Sequence, residues 1–198
     1  MSGRLRIGIV GLGSVTQTIH WPVLREMDHL FEVAAHCDLS RKLRDRAAAT
    51  MGPIPVFADH RAMLDAGGFD IVLVANSDEA HADTACDALD AGCHALVEKP
   101  AALTLGDLDR SIAARDRAGR ECMVGYMRRM AGGFEPMRRA IAAMPAIEHV
   151  SLRAWIGPNA YFIDQIHRTA RADDLPQDMR ERAAARRREL IREATGRD

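Results

Sequence analysis

At 198 residues the chain can bury one full hydrophobic core and begin a second. With 27 basic against 28 acidic residues its net charge is −1, so no global field recruits nucleic acid or an anionic membrane. Its longest apolar runs fall far short of a membrane-spanning helix. The four cysteines, Cys37, Cys86, Cys93 and Cys122, form no C-x-x-C pair, which argues against a zinc site and for free thiols in a reducing, cytoplasmic setting. Met1-Ser2-Gly3 leads almost directly into a strand and leaves no room for a signal peptide.

Leu5 to Val10 reads as a first strand, ending in Gly11-Leu12-Gly13-Ser14-Val15-Thr16. A helix follows to about Met27, kinked or restarted at Pro22. Phe31 to Cys37 is the second strand, with Asp38 at its end. Strand, glycine turn, helix, strand and acid make the first unit of a dinucleotide-binding fold. Gly11 allows the tight turn, and Gly13 lets the backbone approach a pyrophosphate at the helix N-terminus, beside Ser14 and Val15. The third glycine of the fingerprint is replaced by Thr16, so helix and strand must pack closely by another device. Asp38 suits the adenosine ribose of NAD and repels the 2′-phosphate of NADP. Ser40, Arg41 and Lys42 follow at once, and a serine with two cations suits that phosphate instead. The other reading makes Ser40 a helix N-cap with both cations solvated. The balance tips to NAD.

The alternation continues. Leu43, Ala47, Ala48 and Met51 share a helix face closed by Gly52-Pro53, and Val56-Phe57 is a short strand. Asp59 caps a short helix ending at Gly67-Gly68, and Ile71 to Ala75 is a central strand apolar on both faces. Asn76 to His81 opens a helix that Gly92 stops, and Cys93 to Val97 leads into Glu98-Lys99-Pro100. Thr104 and Asp107 resemble a capping box before a helix from Leu105 to Ala118, and Cys122 to Gly125 is a sixth strand. These elements predict an α/β fold, a doubly wound parallel sheet over residues 1–125. Ligands of such sheets bind at the carboxyl ends of the strands, where Gly11, Asp38, Asn76, Lys99 and Tyr126 fall, with His81 one turn beyond. Of the 27 basic residues only Lys42 and Lys99 are lysines, so a Lys between Glu and Pro at a strand end marks a place for an ammonium, which holds or hands over a proton as a guanidinium does not.

The chain resembles the Gfo/Idh/MocA oxidoreductases, the family of glucose–fructose oxidoreductase and inositol dehydrogenase. The resemblance is carried by Gly11-Leu12-Gly13, Asp38, the helix entry at His81, Ala91-Gly92-Cys93-His94 running on to Glu98-Lys99-Pro100, and Gly125-Tyr126-Met127-Arg128-Arg129, over about residues 5–139. It implies a Rossmann domain binding NAD or NADP, then a substrate domain built on an open sheet. It also implies hydride transfer between nicotinamide and a carbinol carbon of a sugar-like substrate, and assembly into homo-oligomers. It gives Lys99 the reacting hydroxyl, a cis peptide to Pro100, and Glu98 the anchoring of the turn. Asn76, His81, Glu98 and Lys99 join the cofactor set, and His81 and Tyr126 lie near nicotinamide or substrate.

The chain stops short of the family's usual length, which leaves residues 126–198 as the incomplete start of an α+β substrate domain. His149 to Ile156 reads as one strand, Gly157 to Pro176 as irregular, and Gln177 to Thr195 as a charged, solvated helix. Glu181, Glu189 and Glu193 offset Arg186-Arg187-Arg188, against a nucleic-acid surface. The family's second catalytic element is an Asp and a His four apart, the His accepting the substrate proton. Asp164 and His167, three apart, are either its shifted equivalent or a polar spot in a connecting segment, the second being favoured. Two functions stay open: an NAD(P)-dependent dehydrogenase, or a dinucleotide-binding module without turnover or fragment of a longer protein.

Overall fold

The computed structural model describes residues 3–153 and 169–197. Six strands form one sheet: β1 (Leu5–Val10), β2 (Phe31–Cys37), β3 (Val56–Phe57), β4 (Ile71–Val74), β5 (His94–Val97) and β6 (Cys122–Val124). Their order is β3-β2-β1-β4-β5-β6 and every pairing is parallel. The order reverses between β1 and β4, which opens a crevice beyond their carboxyl ends.

Alternation along the strands feeds two cores. Val10, Ala35, Val72 and Val74 face one side, against Met63 of α3 (His60–Ala66), Ala85, Ala88 and Leu89 of α4 (His81–Asp90) and Ala114 of α5 (Leu105–Ala118). Ile7, Ile9 and Leu73 face the other, against Trp21 of α1 (Trp21–Glu26) and Leu43 and Ala47 of α2 (Arg41–Met51). Caps set the helix bounds. The side chains of Ser40, Asp59 and Thr104 accept from Leu43 N, Arg61 N and Asp107 N, and Gly119 in the left-handed region ends α5. The restart expected at Pro22 takes the form of a π-turn over Thr16–His20 before α1, since proline has no N–H to continue the ladder.

Two compact units divide the chain: Met1–Val124 with Thr169–Asp198, and Gly125–Arg168. The expectation that residues 126–198 belong together is thus corrected for the C-terminal segment. Helix α7 (Gln177–Thr195) buries Leu190 and pairs Arg187 with Asp78 at 3.1 Å, and Ala170 and Ala172 pack on the Trp21 core. In the second unit a 3₁₀ turn, Met127–Met130, precedes α6 (Phe134–Ala142). The strand expected at His149 to Ile156 is not formed over residues 149–153, and 154–156 lie outside the described residues. Alternating apolar residues make a strand only beside a partner, and Val150 and Leu152 are 74% and 90% exposed.

His36 of β2 is fully buried, edge-on to Trp21 with ring centroids 5.7 Å apart, and neither ring nitrogen has a hydrogen-bond partner among the described residues. Burial lowers its pKa from 6.5 to about 4. Between those values the unfolded imidazole is protonated and the folded one is not, so stability falls as pH drops through that window, by about 3 kcal/mol in full. Replacing His36 with Leu should remove this share of the acid sensitivity. Urea midpoints of both proteins, taken at neutral pH and at the acid end of the window, measure it.

Candidate active site

The glycine turn is wedged between strands. Gly11 N donates to Cys37 O at 2.8 Å, and Ala75 N donates to Val10 O at 2.7 Å. Gly11 has φ +97°, and a Cβ there would stand 2.3 Å from Ala75 C and O and 2.4 Å from Asn76 N. No side chain fits. A Cβ on Gly13 would meet none of the described residues within 4 Å, which leaves the kind of space a pyrophosphate needs against the backbone. Thr16, buried where the fingerprint has glycine, donates its hydroxyl to Gly11 O at 2.7 Å, so close packing is achieved by a hydrogen bond. Ser14 is exposed and Val15 half-buried beside it.

Asp38 braces this turn from the end of β2. Its carboxylate accepts from Leu12 N and from Ser40 N, both at 2.8 Å. Burial raises its pKa, against the lowering effect of those two N–H groups and of Arg44. An ionised carboxylate has acceptor positions beyond these two, enough for ribose hydroxyls. Ser40 is fully buried as the N-cap of α2 while Arg41 is exposed and lies 3.7 Å from Asp45.

At β4 and β5 a second set converges. Asn76 donates from Nδ2 to Thr84 Oγ1 at 2.9 Å, and its buried Oδ1 has no partner among the described residues. An orphaned acceptor at the switch-point crevice suits a ligand hydroxyl or amide. His81 is buried, with Nδ1 2.6 Å from Pro100 O and Nε2 3.1 Å from Asn76 O. Its ring is thus engaged with the backbone and ties the end of β4 to the turn after β5. Glu98 accepts from Lys99 N at 3.2 Å and lies 2.9 Å from His20 Nε2. The His20 hydrogen bond, opposed by burial, holds the Glu98 carboxyl below its ordinary value. The Lys99–Pro100 peptide is cis, as the resemblance implies. Lys99 itself is exposed, and its ammonium makes no hydrogen bond or ion pair with any described residue.

The structure therefore brings Gly11, Gly13, Asp38, Asn76, Glu98 and Lys99 to one sheet edge. Tyr126 belongs to the second unit and is half exposed. Asp164 and His167 lie outside the described residues. The sequence reading missed His20, Gln17 and the acid pair Asp173-Asp174. Gln17 donates to Leu12 O at 2.8 Å and Ala170 O at 3.0 Å and accepts from Ala170 N at 2.9 Å, and Asp174 reaches Ser40. His20, two residues before Pro22 in the helical stretch that follows the glycine turn, was the only one of these with a local signal.

The chain matches the oxidoreductase family with an NAD-binding Rossmann fold, Gfo/Idh/MocA, over residues 5–126. It is 32% identical over 142 residues to inositol 2-dehydrogenase of Salmonella typhimurium, covering 69% of this chain and 41% of that protein. With D-glucoside 3-dehydrogenase of Escherichia coli it shares 35% over 103 residues, 52% of this chain and 29% of that one. Its fold is like that of the WlbA dehydrogenase from Bordetella pertussis, solved in complex with NADH and UDP-GlcNAcA, at a TM-score of 0.65 and 26% identity, over 70% of this chain and 42% of the other. The chain spans about two-fifths of the length of the Salmonella enzyme.

Proposed function

Since the chain belongs to the Gfo/Idh/MocA family of oxidoreductases, we propose that it binds a nicotinamide dinucleotide at this sheet edge and serves hydride transfer to or from a sugar or polyol carbon. The observation that carries the reading is the crevice between β1 and β4, where Gly11 admits no side chain and where, among the described residues, nothing stands against Gly13 and Asn76 Oδ1 has no partner. Gly11, Gly13, Ser14 and Val15 would hold the pyrophosphate, Asp38 the adenosine ribose, and Asn76 and Glu98 the nicotinamide half. When bound, the nicotinamide supplies the hydride acceptor or donor.

The chain's own contribution is at Lys99. Oxidation of an alcohol leaves negative charge on its oxygen, and an ammonium with no hydrogen bond or ion pair among the described residues is available to stabilise it. Glu98 with His20, and His81 with Pro100 and Asn76, hold the turn that presents Lys99; they are positioning residues. Tyr126 enters by family resemblance as a residue toward the substrate; Asp164 and His167, three apart where the family has four, would supply the proton acceptor only as a shifted equivalent of that pair, the less favoured of the two readings. Inositols and glucosides, which the names of the relatives carry, are the compounds to try first.

A non-catalytic binding module is the second reading, favoured by the family match, which covers the NAD-binding Rossmann fold over residues 5–126. Fluorescence of NADH formed from NAD by the purified chain, over a panel of inositols and glucosides, separates the two. Steady turnover supports the dehydrogenase; bound cofactor without turnover on any of them leaves the module.

A further inference from the structure

Beside Asp38, three donors converge on two acids from the far end of the chain. Ser40 Oγ donates to Asp174 Oδ1 at 2.5 Å, and Lys42 N donates to Asp174 Oδ2 at 2.9 Å. Lys42 Nζ donates to both oxygens of Asp173, at 2.8 and 2.7 Å. The Ser40 hydroxyl and the Lys42 N–H hold the Asp174 carboxyl below its ordinary value, and the Lys42 ammonium does the same for Asp173. Both are anions at neutral pH.

A hydroxyl, a backbone N–H in the first turn of a helix and an ammonium are the donor set of a phosphate site. This set stands just past the acid at the end of β2, the place where a Rossmann domain meets the 2′ position of the adenosine ribose. Left open, it would suit the 2′-phosphate of NADP. It is filled by carboxylates of the same chain. The filling is anchored on both sides: Gln17 clasps Ala170 through two hydrogen bonds, Ala170 and Ala172 pack on the Trp21 core, and Leu190 is buried in α7.

We infer that Asp173 and Asp174 are a built-in surrogate for the 2′-phosphate, so that this domain takes NAD(H) and rejects NADP(H). The inference rests on the dinucleotide-binding reading above. An incoming 2′-phosphate finds its donors taken and meets two negative charges beside a third, Asp38, whereas the 2′-hydroxyl of NAD asks for none of those donors. Selectivity in this chain is thereby set by a segment more than a hundred residues from the motif it completes.

Fluorescence titrations with NADH and NADPH test this on the wild type, on the isosteric double variant Asp173→Asn/Asp174→Asn, on Asp173→Ser/Asp174→Ser, and on the serine pair combined with Lys42→Ala. Circular dichroism checks that each is folded. The wild type should prefer NADH, and the serine pair should tighten NADPH about tenfold or more, the worth of one charge-assisted contact, with NADH little changed. Lys42→Ala should cancel the gain, and the asparagine pair should show part of it. Unchanged NADPH affinity in both double variants overturns the inference while NADH binding upholds the cofactor reading. Equal gains for both nucleotides overturn it as well, making the segment a general cover. Folded proteins that bind neither nucleotide in any form take down the cofactor reading and the inference together.

Discussion

Gly11→Ala should cost more than about 4 kcal/mol and leave little folded protein. Two independent effects act at this one position. At φ +97° an L side chain meets its own carbonyl, which costs about 1–2 kcal/mol. The larger effect is steric. The new carbon would sit 2.3 Å from Ala75 C and O and 2.4 Å from Asn76 N, which are backbone atoms that no rotamer change can move. Relief would require β1 and β4 to part, yet these are central paired strands, with Gly8 and Val10 opposite Val72 and Val74. Loss would show as a lowered urea midpoint or as insoluble protein. A variant as stable as the wild type would mean that the turn is not held as described.

The second large effect concerns Lys99. In Lys99→Ala, turnover of the preferred polyol should fall about 100- to 1,000-fold, the usual consequence of removing one donor aimed at a developing oxyanion. Stability should barely change, because the side chain is exposed and makes no ion pair or hydrogen bond with any described residue. NADH affinity should change little, since Glu98, His20 and His81 hold the turn without the ammonium. Arginine should not rescue it: a guanidinium is larger, planar and fixed in charge. Steady-state kinetics with a parallel NADH titration separate these outcomes. A raised KM at unchanged kcat would move Lys99 from the reacting oxygen to ordinary substrate binding.

How far such residues can be read from sequence depends on the range of their interactions. Helix α5 is bounded at Leu105–Ala118 as expected because both stops are local: Thr104 accepts from Asp107 N three residues on, and Gly119 takes the left-handed conformation at the other end. The sheet was legible for a similar reason, since Ile71–Val74 is apolar throughout and its two faces feed two cores. Gly11 and Asp38 could be named from a local motif, yet the bracing of Leu12 N by Asp38 could not. The Glu98–His20 pair spans 78 residues, and the contacts of Ser40 and Lys42 with the acid pair span more than 130. No periodicity encodes such distances. Nor did Asp173-Asp174 stand out in a chain with 28 acids. At residues 149–153 local pattern misled: Val150 and Leu152 alternate as in a strand, but strands exist only in pairs, and pairing is a tertiary property.

A dinucleotide lying over the backbone at Gly13 can be tested by an NADH fluorescence titration of the wild type beside Gly13→Ala. A Cβ at Gly13 meets none of the described residues within 4 Å, so the variant should fold with its stability intact. The wild type should bind NADH saturably in the micromolar range, and the variant, whose methyl group takes the place of the pyrophosphate, should bind it about tenfold or more weakly. Equal binding by both folded proteins, or none by the wild type, would contradict it.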